Sequence, residues 1–184
     1  QNDNDVSSAS IDGSWSTLDK KVSTRTGPLA TGANLTDGTV GAACAGGGIT
    51  YVDGNPAVTG FTPGDYVCFD LQADFPANLD YAGVRLFDYL PSGYTYVNGS
   101  EQRVVASDTI PGTTILSTSA SSIVFNVNGD GTVNNAGNTF HWTFAAKVGP
   151  AEAGVAQDIK LNQWKLSEHN TAGTVYQLRD LAGA

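Results

Sequence analysis

Three polar residues of this chain stand where strands normally place apolar ones. In Leu18-Asp19-Lys20-Lys21-Val22-Ser23, Lys20 shares parity with Leu18 and Val22, whereas Lys21 falls with Asp19 and Ser23. In Val84-Arg85-Leu86-Phe87-Asp88, the aspartate shares parity with Val84 and Leu86, and in Asn162-Gln163-Trp164-Lys165-Leu166 the asparagine shares parity with Trp164 and Leu166. Side chains alternate across a strand with period two, so each of the three is directed at the face its apolar neighbours bury. Burial disfavours charge, lowering the pKa of an amine and raising that of a carboxyl. A neutral amine carries the lone pair a nucleophile needs, and a protonated carboxyl can polarise an acceptor and relay protons. The competing readings are ordinary: a strand-end lysine snorkels to the surface, and Asp and Asn make turns.

Presenting such residues inward requires strands, and the chain is built of them. Short apolar runs punctuated by Gly, Pro, Asn and Asp predict strands at Leu18–Ser23, Ile49–Val52, Tyr66–Ala73, Ala82–Leu90, Tyr94–Asn98, Arg103–Ala106, Thr114–Ser117, Ser122–Val127, Thr139–Val148, Gln157–Glu168 and Thr174–Leu178. Asp53-Gly54-Asn55-Pro56 and Thr62-Pro63-Gly64-Asp65 read as turns. Residues 1–13 are polar and expected to be flexible. Residues 26–48, rich in Gly, Ala and Thr, read as a long loop or insertion with one short strand, anchored by Cys44. The expected architecture is all-β: an immunoglobulin-like β-sandwich with insertions, forming a single elaborated domain over residues 14–184.

Composition narrows the function. The 184 residues include 22 glycines and no methionine, and carry a net charge of −9. That charge opposes nucleic-acid binding, which needs a basic footprint, and opposes an anionic membrane surface. With only two cysteines and two histidines, zinc is not expected. An even cysteine count in a chain of extracellular character favours one Cys44–Cys68 disulfide over two buried thiols. No transmembrane run, signal peptide or sorting tail is visible, so the sequence reads as a mature domain or a piece of a longer surface protein.

The segment Gly64-Asp65-Tyr66-Val67-Cys68-Phe69-Asp70-Leu71, followed by Val84-Arg85-Leu86-Phe87-Asp88-Tyr89-Leu90-Pro91-Ser92-Gly93-Tyr94-Thr95-Tyr96-Val97, resembles the β-sandwich repeats of bacterial surface adhesins and pilins. The specific likeness is to the isopeptide-forming, fimbrial type that carries Asp-x-Leu-Pro. The resemblance spans about residues 18–180 and is dense only at 63–100. It implies that Lys20, on the first strand, attacks an Asn side chain on a late strand while Asp88 acts as the catalytic acid, releasing ammonia and leaving a Lys–Asn isopeptide crosslink. Asn162 is the first choice for the acceptor. There Asn162-Gln163-Trp164 departs from the family's Asn-x-Ala, and Asn170-Thr171-Ala172 is the alternate. The resemblance further implies a secreted or cell-surface location, adjacent domains of a longer surface protein as partners, and a host or surface ligand, glycan or protein. No cofactor and no metal are implied.

Other motifs carry less. Asn126-Val127-Asn128-Gly129-Asp130-Gly131-Thr132 sets oxygen side chains at alternate positions with Gly sixth, but position twelve is Gly137 rather than Glu, so a Gly-rich turn explains it better than a calcium loop. Asn34-Leu35-Thr36 and Asn98-Gly99-Ser100 match the glycosylation sequon. Tyr66, Tyr89, Tyr94, Tyr96, Trp142 and Trp164 are candidates for a sugar platform, which makes a carbohydrate-binding module the alternative function. An enzyme ranks third. His141 and His169 sit in dissimilar contexts, no nucleophile elbow or phosphate loop is present, and only a spatial pairing of Asp70, Asp74 or Asp80 would suggest a glycosidase.

Overall fold

A computed structural model describes residues 17–30, 34–53, 60–75, 81–90, 93–130, 132–133, 138–150, 161–170 and 175–183. The expected flexible segment 1–13, the first residues of the Gln157–Glu168 strand, Thr174 and Asp80 lie outside the described residues. Twelve strands are described: β1 Thr17–Ser23, β2 Tyr51–Val52, β3 Tyr66–Phe75, β4 Tyr81–Tyr89, β5 Tyr94–Tyr96, β6 Gln102–Arg103, β7 Thr114–Ser119, β8 Ser122–Asn126, β9 Thr132–Val133, β10 Asn138–Val148, β11 Leu161–Asn170 and β12 Val175–Gly183. They form two antiparallel sheets. The first runs β2-β1-β3-β10-β5 with β6 also on β10, and the second runs β12-β11-β4-β8-β7 with β9 also on β4. The chain crosses between sheets after β3, β4, β6, β9 and β10, and this alternation makes it a sandwich.

The alternating sequences explain the layers. On β3, Val67, Phe69, Leu71, Ala73 and Phe75 point inward and are buried. On β10, Phe140, Phe144 and Ala146 do the same, with Trp142 packed beside them. Val84 and Leu86 of β4 and Ile123 and Phe125 of β8 supply the opposing face. Aromatic rings dominate the interior: Phe69 stacks on Phe144 at 5.2 Å, and Phe125 meets Phe140 edge-on at 5.1 Å.

The region 26–48 departs from expectation. It holds a short helix, α1, over Val40–Ala45 and a single 3-10 turn at Gly27–Leu29, with no strand among its described residues. The helix has no side-chain N-cap and too few residues to be stable alone; tertiary contacts hold it. It lies on the outer face of the first sheet, where Leu29, Val40, Cys44, Cys68, Val97 and Ala145 form a second, smaller core. Gly41 permits the close approach, because a Cβ there would sit 2.4 Å from the Ser100 carbonyl oxygen. The Thr62–Asp65 turn is as expected. Gly64 has φ +94°, Asp65 N–H donates to the Thr62 carbonyl, and Pro63 precedes the glycine, the arrangement of a type II turn.

Candidate functional site

β1 places Lys20 opposite Leu71 of β3, facing the interior. β4 places Asp88 between Ile123 of β8 and Trp164 of β11. Their side chains meet across the sandwich: Lys20 Nζ donates to Asp88 Oδ2, and both side chains are fully buried. The Lys20 nitrogen also lies 4.9 Å from the Phe69 ring centroid and 5.8 Å from that of Phe144, close enough for the ring faces to favour a cation. Dry surroundings penalise two full charges, while their proximity favours them. Moving one proton from the ammonium to the carboxylate turns the ion pair into a neutral amine beside a carboxylic acid without changing the pair's net charge.

Strand register places the two asparagines differently. Trp164 is the residue opposite Asp88, so Asn162 is its diagonal neighbour on the same face of the second sheet. Such diagonal positions on paired strands lie about 7–8 Å apart. β1 packs against both β11 and β12. Asn170 is opposite Tyr81, seven residues from Asp88 along β4, or roughly 23 Å at about 3.3 Å per residue.

Cys44 of α1 and Cys68 of β3 form a disulfide with Cα atoms 5.6 Å apart. The surrounding bonds are local. Tyr51 Oη donates to the Cys44 carbonyl at 2.7 Å, and Cys68 N–H donates to Ser23 Oγ at 2.9 Å. Burial, with Asp70 nearby, pushes the Tyr51 phenol above its ordinary pKa.

Of the proposed sugar-platform rings, Tyr96 is buried and donates to Glu101. Tyr66 donates to Asp37 at 2.6 Å beneath the Lys147 ammonium, and burial and that bond push its pKa up to about 12. Tyr94 and Trp142 pack against the interior. Tyr89 is 40% exposed and its ring lies parallel to that of Phe87, centroids 6.3 Å apart; Phe87 was not among the expected rings. Asn126 Oδ1 accepts from Arg85 at 2.6 Å, so the calcium-like segment spends its first oxygen on a guanidinium. Asp70 and Asp74 stand four residues apart on one face of β3, roughly 13 Å along the strand, beyond the about 5–9.5 Å of paired glycosidase carboxylates.

Fold and interior pair together define a two-sheet sandwich with a sealed amine–acid contact and an outer disulfide clasp. The sequence matches no family model and no curated protein. Solved structures match in fold. The major pilin subunit BcpA of Bacillus cereus, as its D312A variant, aligns with TM-score 0.56 at 11% identity over 92% of this chain and 40% of its own. A 35 kDa C-terminal fragment of the major pilin GBS80 of Streptococcus agalactiae aligns with TM-score 0.56 at 15% identity, covering 92% of this chain and 55% of its own. The pilus backbone protein RrgB of Streptococcus pneumoniae aligns with TM-score 0.54 at 14% identity, covering 84% and 52%. The chain therefore spans about half the length of the pilins it resembles, and at these identities the likeness is one of fold. Among the described residues no helix is long and apolar enough to cross a membrane.

Proposed function

We propose that this chain is a single structural and adhesive domain of a bacterial surface or pilus protein, secreted to the cell exterior and joined to neighbouring domains. We further propose that Lys20 and Asn162 are covalently joined with Asp88 as the acid. The observation that carries this reading is the buried Lys20–Asp88 contact, with Asn162 two residues along β11 from Trp164, the residue opposite Asp88. The chemistry balances within the chain. The neutral Lys20 amine attacks Asn162 Cγ, the new Nζ–Cγ bond forms, and the Cγ–Nδ2 bond breaks. Asp88 gives its proton to the departing nitrogen and recovers one from Nζ, so ammonia is the only product lost. Register favours Asn162 over Asn170, which lies far along β11 from the acid. The link would tie the first strand to the second sheet, suiting a domain that resists pulling and proteolysis.

Intact mass of the reduced protein tests this. A chain lighter than its sequence by one ammonia, with the loss abolished in D88A and K20A, is the expected result. A mass equal to the sequence mass in the wild type overturns the crosslink. Peptide mapping of the linked fragment distinguishes Asn162 from Asn170.

The parallel Phe87–Tyr89 ring pair on the outer face of β4, with Tyr89 exposed, favours a second reading, carbohydrate binding through stacking on sugar rings. Retention on an insoluble glucan that disappears in Y89A would support it. Equal retention of both proteins, or none, would remove it.

A further inference from the structure

The outer face of the first sheet carries a hydrogen-bonded relay that the structural role does not use. Asp70 Oδ1 lies 2.5 Å from His141 Nε2, and His141 Nδ1 lies 2.5 Å from Ser107 Oγ. One neutral tautomer satisfies both bonds: Nε2–H donates to the carboxylate, which leaves the Nδ1 lone pair to accept the Ser107 proton. The other acceptor near Ser107, the Val104 carbonyl, is 3.4 Å away, a much longer contact. The parts are held from three directions. β3 supplies Asp70 and β10 supplies His141. The turn after β6 supplies Ser107, with Val104 N–H bound to the His141 carbonyl at 2.9 Å. Asp108, buried next to the serine, accepts from Trp142 Nε1 at 2.8 Å and from Arg103 Nε at 2.9 Å, which fixes the loop over the histidine. Ser107 is partly buried, and the His141 and Asp70 side chains are 16% and 15% exposed, so the relay reaches the solvent edge.

We propose that Ser107 is an activated surface hydroxyl that takes up an acyl group from a small carboxylic ester. Ser107 Oγ attacks the ester carbonyl while His141 Nδ1 takes its proton. The Oγ–acyl bond forms, the bond to the leaving alkoxide breaks, and the imidazolium returns its proton to that alkoxide. Asp70 is a positioning residue that sets the tautomer and favours the imidazolium. The N–H groups of Ser107 and Asp108 are both committed to the Val104 carbonyl, at 3.0 Å and 2.9 Å, so neither is available to stabilise an oxyanion. Acylation is therefore slow and stoichiometric, a covalent modification rather than turnover.

p-Nitrophenyl acetate tests the proposal on the intact domain, with peptide mapping as readout. The expected result is one acetyl group on Ser107, absent in S107A, and formed about a hundredfold more slowly in H141Q, the usual contribution of a general base. Melting temperature and the intact Cys44–Cys68 disulfide show that each variant folds. In folded D70N, acylation of Ser107 slows because the ring loses the carboxylate that holds its tautomer, and D70E, which keeps a carboxylate, restores part of the rate. Acetylation no greater at Ser107 than at other hydroxyls, acetyl appearing only on lysine amines, or a wild-type rate in folded H141Q would each overturn the proposal.

Discussion

The first sheet uses its two faces in opposite ways. Its inner face hides a lysine against an aspartate of the other sheet, sealed among phenylalanine rings. Its outer face carries a smaller core, Leu29, Val40, Val97, Ala145 and two cysteines, rimmed by the partly buried Leu35, Ile49, Tyr51 and Tyr66. There a disulfide and a six-residue helix cover the sheet. The difference teaches that a polar group survives inside when its partner is brought to it, whereas a thin apolar layer survives outside when its cover is bonded on. In the first case the stabilising element is a pairing of charges or protons; in the second it is a restriction of the unfolded chain.

The largest effect should come from halving the inner pair. D88A leaves the Lys20 amine buried without its acid and is expected to cost about 3–5 kcal/mol in denaturant unfolding. K20M/D88L replaces both partners with apolar side chains and should be close to neutral if the pair acts only through charge. A loss as large as that of D88A would instead indicate that a covalent link has gone. Next comes the outer clasp. Reducing Cys44–Cys68, which closes 24 residues of separation, should cost roughly 3 to 4 kcal/mol. Hydrogen exchange should then accelerate at α1 while β4 and β8 stay protected. Smaller still is G41A with the disulfide intact. The added Cβ meets the Ser100 backbone and should lower stability by about 1–3 kcal/mol through overpacking.

The smallest effect lies at the turn entering β3. Burial opposes ionisation of Asp65, but hydrogen bonds from Thr62 and Arg25 outweigh it and hold the carboxyl below its ordinary pKa. A depressed folded pKa means the stabilisation is full above the unfolded value and is lost as pH falls through the folded one. Urea unfolding followed downward from neutral pH should therefore show a flatter acid limb in D65N than in the wild type.

Much of this was legible because β-strands write burial into parity. Lys20, between Leu18 and Val22, and Asp88, after Val84 and Leu86, face inward as their alternation requires. The helix α1 was not legible. Its Val-Gly-Ala-Ala-Cys-Ala run has no heptad pattern and no capping side chain, and the contacts that fold it belong to Ser100 and Cys68. The strand expected over Arg103–Ala106 shrinks to Gln102–Arg103 because the Val104 carbonyl takes the Ser107 and Asp108 N–H groups and closes a turn. The Ser107–His141–Asp70 relay was equally hidden. Its members are 34 and 71 residues from His141, and no local motif announces them. The one available signal was that Asp70 and His141 both fall on the outward parity of long strands.

The two fasteners also differ in how far along the chain they reach, and this sets how much structure each needs before it can form. The cysteines are separated by 24 residues and the Lys20–Asp88 contact by 68. Loop-closure scaling makes the longer contact about 1 kcal/mol harder to bring together, before counting the strands that must already be paired around it. The cysteines can meet while most of the sandwich is still wet; the lysine and aspartate lose water only when both sheets have closed. The cysteine pair thus needs less of the chain organised before its ends can meet, and any chemistry that depends on a dry Lys20 requires both sheets to be closed first.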